Sequence, residues 1–370
     1  MHGPLNVSRF SQILALDLGK FNSVCCLYDP RTAEYRFTSV QSIPQMIHDL
    51  LVKHATEDPA DTLVVFETCD CAGWVHDIAT ALGFAVAVAN PSDEAWRWTR
   101  VKRKTDRDDA LKLARLAALD QLPQVHMPPP QQRQKRRLVH YRRALVQRQT
   151  QIKNQIRSIF SQQGIDLPRG KALWTKAGIE QLAEHARPLA ACDIDNLCRG
   201  RLHVELALLQ SLAQQIHELE KKLDSLGRQD EKVKLLQTAP GVGPRLAEAV
   251  VSHLDDPHRF QTARQVSAYA GLVPKQLESG TMKRVGRITR RGPSLLRGML
   301  VEVAWMVYRH SAWARSFVDR VSRGIRSRRR IAIVALARKL LVKLWAMLRD
   351  NKPWNESEET SACALAMAAG

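Results

Sequence analysis

The chain has 370 residues, more than one ordinary domain holds, and 45% of them are hydrophobic, enough to bury several cores. Its formal net charge of +19 opposes compaction unless a polyanion offsets it, so nucleic acid is the first partner to expect and an anionic membrane surface the second. No run reaches the roughly 18 apolar residues of a membrane helix, residues 1–10 lack a signal-peptide pattern, and seven cysteines without zinc-finger spacing fit reduced thiols in a cytoplasmic protein.

The first apolar run, residues 13–17, ends at Asp17 and is broken by Gly19; residues 23–28 and 35–40 follow as further strands, an antiparallel meander. Residues 43–54 read as an amphipathic helix, 62–66 as a buried strand, 74–82 as a helix, and 84–89 as another buried strand closed by Asn90-Pro91. A helix is expected over 106–119, with Leu111, Ala114 and Ala118 as its apolar positions. Pro128-Pro129-Pro130 then marks a linker. Beyond it lies a long basic helix, 131–162, in which Leu138, Leu145, Ile152 and Ile159 recur every seven residues. Residues 202–226 carry matching columns, Leu202, Leu209, Ile216 and Leu223 beside Leu212, Leu219 and Leu226, so the two segments are expected to form a coiled coil. Residues 164–195 show no periodicity that places them. From 233 to 354 the chain reads helical and basic, and 356–370 reads as a disordered tail.

Four acids stand at the ends of these elements. Asp17 closes the first strand, Glu67 follows Val64-Val65-Phe66, and Asp106 and Asp109 share one face of a helix's first turn. Crowded carboxylates repel one another. A hard divalent cation reverses that cost, and magnesium keeps coordination positions open for phosphate oxygens. Taken singly, an Asp-x-Gly serves turns and an acid at a helix start serves as a cap; Asp93, Glu94 and Asp108 read as that kind. The spacing leaves two folds open, RNase H-like and actin-like ATPase. The second needs further Gly-rich phosphate loops, and none is found.

In the last region, Pro240-Gly241-Val242-Gly243-Pro244-Arg245 reads as a tight turn between two helices, the helix-hairpin-helix pattern. Gly241 and Gly243 permit the turn, and amides at the second helix's start would face a phosphate beside Arg245; an ordinary turn between helices is the alternative. Lys283, Arg284, Arg287, Arg290 and Arg291, broken by Gly286 and Gly292, suit a loop lying on a nucleic-acid backbone. Ser279 stands in that loop. By composition it is a turn residue, and near a phosphate it is a candidate nucleophile. Tyr269, the other local hydroxyl, has apolar neighbours that suit a core.

Several of these segments together match a known pattern: Leu16-Asp17-Leu18-Gly19-Lys20, Phe66-Glu67-Thr68, Lys104-Thr105-Asp106-Arg107-Asp108-Asp109-Ala110, Pro240-Gly241-Val242-Gly243-Pro244, Tyr269-Ala270-Gly271-Leu272-Val273-Pro274, Gly286-Arg287-Ile288-Thr289-Arg290-Arg291-Gly292 and Ala335-Leu336-Ala337-Arg338-Lys339-Leu340-Leu341. In order and content they resemble the DEDD-type transposases of bacterial insertion sequences, recombinases guided by a bridge RNA. The resemblance spans almost the whole chain.

It implies an α/β RNase H-like (RuvC-like) domain over 1–125 whose acids Asp17, Glu67, Asp106 and Asp109 bind Mg2+. A basic helix and coiled coil would occupy 126–230, and a mostly α transposase domain with the helix-hairpin-helix motif 231–354. Ser279 maps onto the family's catalytic serine, which attacks the DNA phosphate and joins to it covalently. The flanks depart from many members, with Leu277 before Glu278 and Thr281 after Gly280. The implied partners are donor and target DNA, a structured noncoding guide RNA, and further copies in a dimer or tetramer, in the bacterial cytoplasm at the nucleoid and with no membrane. Two other classes share the acids or the charge: a magnesium-dependent junction endonuclease that uses water, and a non-catalytic nucleic-acid binder.

Overall fold

The computed structural model describes residues 9–91, 105–279 and 282–355, with backbone alone over 276–279 and 282–285. Asp93, Glu94, Lys104, Gly280, Thr281, the expected tail and the start of the chain lie outside the described residues. Two compact units divide the chain, Met1–Gln132 and Arg133–Gly370.

In the first unit, β1 (Gln12–Leu18), β2 (Asn22–Tyr28) and β3 (Tyr35–Gln41) form the expected antiparallel meander. Helix α1 (Pro44–Lys53) carries the chain over to β4 (Thr62–Glu67), which pairs parallel to β1. Helix α2 (Ala72–Ala81) leads to β5 (Ala85–Ala89), parallel to β4, giving the sheet order β3-β2-β1-β4-β5. The two central strands are covered on both faces, which is why Ile13-Leu14-Ala15-Leu16 and Leu63-Val64-Val65-Phe66 are unbroken apolar runs. Strand alternation divides them. Leu14, Leu16, Val64 and Phe66 pack under α1 and α2 with Ile47, Leu51, Val75 and Ala79. On the other face Ile13, Ala15, Leu63 and Val65 meet Ala110, Leu113, Ala114 and Ala117 of α3 (Asp106–Ala118).

In the second unit, α4 (Pro130–Gln162) begins on the last residue of the expected linker, a first-turn position where the missing proline N–H costs nothing. It runs antiparallel to α6 (Leu197–Arg228): Val139 shares a cluster with Leu223, Arg142 donates to Glu220 at 2.7 Å, and Ile156, Ile159 and Phe160 cluster with Leu202 and Leu209. Leu202, Leu209, Ile216 and Leu223 are all buried, as the heptad spacing requires. The unplaced stretch between them holds α5 (Lys176–Glu184), whose Leu182, with Leu173, plugs the α4–α6 cluster. Two short apolar contacts are too little for a periodic signal.

A second core gathers α7 (Glu231–Gln237), α8 (Pro244–Leu254), α9 (Ala263–Tyr269), α10 (Ser294–His310), α11 (Ala312–Ser322) and α12 (Arg329–Asp350). Helix α12 supplies Leu336, Leu340, Leu341 and Leu344 to it. One expectation is corrected here. The basic stretch read as a loop is a β-hairpin, β6 (Pro274–Ser279) and β7 (Met282–Ile288). Ser279 pairs with Met282, so only two residues join the strands, a length suited to tight hairpin turns. The density of charge had concealed the strand pattern.

Candidate functional site

The register of β1 and β4 brings the first two acids together. Leu16 lies opposite Phe66, so the next residues, Asp17 and Glu67, end neighbouring parallel strands about 4.8 Å apart. Alternation puts both on the face of Ile13, Ala15, Leu63 and Val65, the face that α3 covers. The buried stripe of α3 contains Asp109 together with Leu113 and Ala117, so Asp109 is drawn toward the same face and is only 6% exposed. Asp106, one turn earlier, is exposed. Asp17 and Glu67 are half-buried, and they and Asp109 have interaction partners within the chain.

Asp108 is held apart from this group. Its carboxylate accepts the Thr105 N–H at 3.0 Å and the Thr105 hydroxyl at 2.7 Å, while its own N–H donates to Thr105 Oγ1 at 3.3 Å. This is a reciprocal cap on α3. The Thr105 hydroxyl, and then the Thr105 N–H, hold the Asp108 carboxyl below its usual range. The capping role read for Asp108 is therefore what the structure contains.

Four carboxylates make a hard oxygen donor set, the chemistry a divalent cation such as magnesium requires. The sheet supplies two of them side by side, and α3 supplies the others from one face of its first turn. Among the described residues no three His, Cys, Asp or Glu side chains stand close enough to form a ready cage.

In the second unit, α7 and α8 are joined by the turn 238–243. Gly241 adopts φ 76° and Gly243 caps the start of α8 without a side-chain cap bond. Arg245 faces inward. It pairs with Asp224 of α6 and, at 3.1 Å, with Glu248, and its side chain is largely buried. Burial raises the Glu248 pKa, against the pull of Arg245 and Arg142. The charge of Arg245 thus ties α8 to α6 in this structure. Its partner is 21 residues away, a pairing no local pattern announces.

The far end of α8 makes a second polar junction that the sequence also concealed. His253, buried, lies 3.2 Å from His140 of α4 between ring nitrogens. Its carbonyl accepts from Tyr269 Oη at 3.0 Å and from Arg259 at 3.2 Å. Burial, with Arg136, His140 and Arg259 adding to it, pushes the His253 pKa down to about 3. Tyr269 packs against Phe260 and against the core, so it is a structural hydroxyl, as its apolar neighbours suggested.

The hairpin is fixed at its root. Gly271 and Gly292 both have positive φ, and a Cβ on Gly271 would lie 2.0 Å from the Arg291 carbonyl oxygen. A Cβ on Gly292 would lie 1.9 Å from the Tyr269 carbonyl oxygen. The two glycine-containing motifs are therefore one crossing of backbone, which only glycine allows. Thr289 N–H donates to Val273 O at 2.8 Å, and Arg297 donates to Ala270 O at 3.0 Å. Ser279 lies at the hairpin's other end. Arg287, Arg290 and Arg291 are exposed near its root, with Arg290 at φ 56°. The side chains of Ser279, Lys283 and Arg284 lie outside the described residues.

Two transposase family models match the chain, one of the IS110 DEDD type over residues 14–164 and one described as Transposase IS116/IS110/IS902 family over 233–319. The chain is 31% identical to a probable family 20 transposase of Pseudomonas aeruginosa over 77% of its own length and 83% of the relative's. It belongs to the IS110/IS116 family of transposases. It is also 28% identical to the transposase for insertion sequence element IS1111A of Coxiella burnetii, over 79% of each chain. A pilin gene-inverting protein of Moraxella bovis is 29% identical over 40% of this chain and 46% of that one. This transposase is thus an enzyme that cleaves and rejoins DNA, and DNA is its binding partner. The first matched segment spans all four acids and the second spans the α7–α8 turn and the hairpin. No helix among the described residues is long and apolar enough to cross a membrane.

Proposed function

We propose that this transposase moves an insertion sequence by site-specific recombination in the bacterial cytoplasm, with Asp17, Glu67, Asp106 and Asp109 as ligands for Mg2+ and Ser279 as nucleophile. The observation that carries the reading is the convergence of acids on one sheet face: Asp17 and Glu67 at neighbouring strand ends, with Asp109 drawn to that face from α3. An RNase H-like fold for this unit agrees with the sheet order β3-β2-β1-β4-β5 and the match to the DEDD type. A bound divalent cation would supply positive charge to the scissile phosphate's oxygens.

The chain's own residues do the rest. The Ser279 Oγ–P bond forms as the phosphate's bond to one sugar oxygen breaks; the serine proton leaves and the released sugar oxygen takes one up. A sugar hydroxyl of the partner strand then displaces Ser279, restoring the phosphodiester. The energy of the broken bond is kept in the serine ester, so rejoining needs no external energy source. Gly241 and Gly243 present α8's first-turn amides as a helix-hairpin-helix phosphate site, and Lys283, Arg284, Arg287, Arg290 and Arg291 line the DNA backbone beside the serine. Helices α4 and α6 act as a coiled coil that assembles copies of the chain into a dimer or tetramer. A structured noncoding RNA pairs with donor and target DNA and supplies sequence specificity, as base pairing does in other guided systems.

The test is to incubate the full chain with magnesium, the RNA that co-purifies with it and DNA carrying the element's ends, and then to denature the mixture. A protein–DNA adduct is expected with the wild type and is absent in Ser279→Ala, while Asp106→Asn abolishes cleavage. Cutting without an adduct, unchanged in Ser279→Ala, would establish a water-using endonuclease instead. Retained cleavage by Asp106→Asn in magnesium removes the metal reading.

A further inference from the structure

The turn between α11 and α12 gathers a second dense run of positive charge. Arg320, Arg323, Arg326, Arg328, Arg329 and Arg330 lie within eleven residues and are all exposed. Asp319 is the single acid beside them in sequence, and it stands before the run. None of these six guanidinium groups makes an ion pair among the described residues. A basic face that serves solubility alone is ordinarily interspersed with acids.

Their placement makes the arrangement unfavourable for the free protein. Arg326 and Arg328 precede α12, and Arg329 and Arg330 open it, at the positive end of the helix dipole. Helix α12 has no acid in its first turn and no side-chain cap on its first N–H groups, with Arg328 at the cap position. Dipole and like charges therefore act against the folded state together. An anion at this point would reverse both effects, accepting from the guanidinium forks and from the uncapped amides. The backbone is formed to hold the arginines there, since Arg323 and Gly324 both adopt positive φ and turn the chain sharply from α11 into α12.

We propose that the α11–α12 turn is a nucleic-acid backbone clamp, in which Arg326, Arg328, Arg329 and Arg330 hold successive phosphates at the start of α12. The clamp uses none of the acids, Ser279 or the hairpin arginines, and it requires only that the chain bind nucleic acid. Ile325 and Ile331, both exposed, flank the arginines and offer apolar surface to sugars. Binding at such a site ignores base sequence, because it reads phosphates and the helix terminus alone.

The test uses the full chain in EDTA, so that no cleavage intervenes. The variant replaces Arg326, Arg328, Arg329 and Arg330 by Gln; a control replaces the equally exposed Arg148, Arg187, Arg201 and Lys221 by Gln. Affinity for a short duplex DNA and for a single-stranded RNA is measured against salt. Each lost phosphate contact lowers the slope of log affinity against log salt by about 0.9 on duplex and about 0.7 on single strands. The clamp variant is expected to lose about 2–4 from that slope on at least one probe, the control less than about 1. Loss on the duplex alone assigns the clamp to DNA, loss on the RNA alone assigns it to RNA, and loss on both assigns it to either backbone. The free clamp variant is also expected to melt above the wild type, because four like charges at the positive end of α12 are removed. An unchanged slope on both probes, or an equal loss in the control, overturns the proposal. So does a melting temperature at or below that of the wild type.

Discussion

Asp17 and Glu67 follow the apolar runs 13–16 and 63–66, which are fully buried on both faces, so their positions are set by the packing of the first unit's core. Ser279 ends a two-stranded ribbon whose described anchors lie at the opposite end, where Gly271 and Gly292 cross. The acids are placed by a core that would have to be dismantled to move them. The serine is placed by a lever. A change at the hairpin's root therefore reaches the serine, while the sheet resists comparable changes until the unit itself unfolds.

That contrast can be broken first at the acids. Asp109→Ala is expected to lower DNA cleavage at least about a hundredfold with the fold retained; cleavage assays beside a thermal melt check this. An equally active variant would detach α3 from the site. At the hairpin root, Gly292→Ala forces a Cβ against the Tyr269 carbonyl at positive φ. A loss of about 1–3 kcal/mol is expected, with strand exchange impaired more than cleavage of the acids' kind of substrate would suggest. Denaturant titration and adduct yield measure the two effects separately.

The α8 junction gives a pH test of the second unit. His253 has a folded pKa of about 3 against an ordinary 6.5, so above pH 6.5 both folded and unfolded forms are neutral and its contribution is complete. As pH falls below 6.5 the unfolded chain binds a proton that the folded chain excludes. Stability should then decline by up to about 1.4 kcal/mol per pH unit toward pH 3. His253→Gln should flatten that decline in denaturant titrations across the window. The smallest effect is expected at the cap of α3. Thr105→Ala costs about 1 kcal/mol of stability, and Asp108→Ala leaves cleavage close to wild type because its carboxylate serves Thr105. A dead Asp108→Ala would mean that the helix start itself moves when the cap is lost.

The first unit was legible because its signals are local. Unbroken apolar runs marked β1 and β4, Gly19 marked the hairpin after β1, and the i, i+3 spacing of Asp106 and Asp109 fixed their common face before any tertiary contact was considered. The column Leu202, Leu209, Ile216 and Leu223 of α6, all buried, was legible for the same reason. In 274–288 the density of charge hides the strand pattern, although two residues separate strands that pair. Arg245 looked equally free for a phosphate, and a buried pairing with Asp224 and Glu248 holds it.

The sequence by itself determined the strands and helices of the first unit and the residue types of the acids, because periodicity and carboxylate chemistry are properties of neighbouring residues. Tertiary structure alone decided that Asp17 stands beside Glu67, that Gly271 must cross Gly292, and that His253 is buried beside His140. Each of those facts joins segments far apart in the chain, through strand pairing, a backbone crossing or a packed core, and the local pattern of one segment does not name its distant partner.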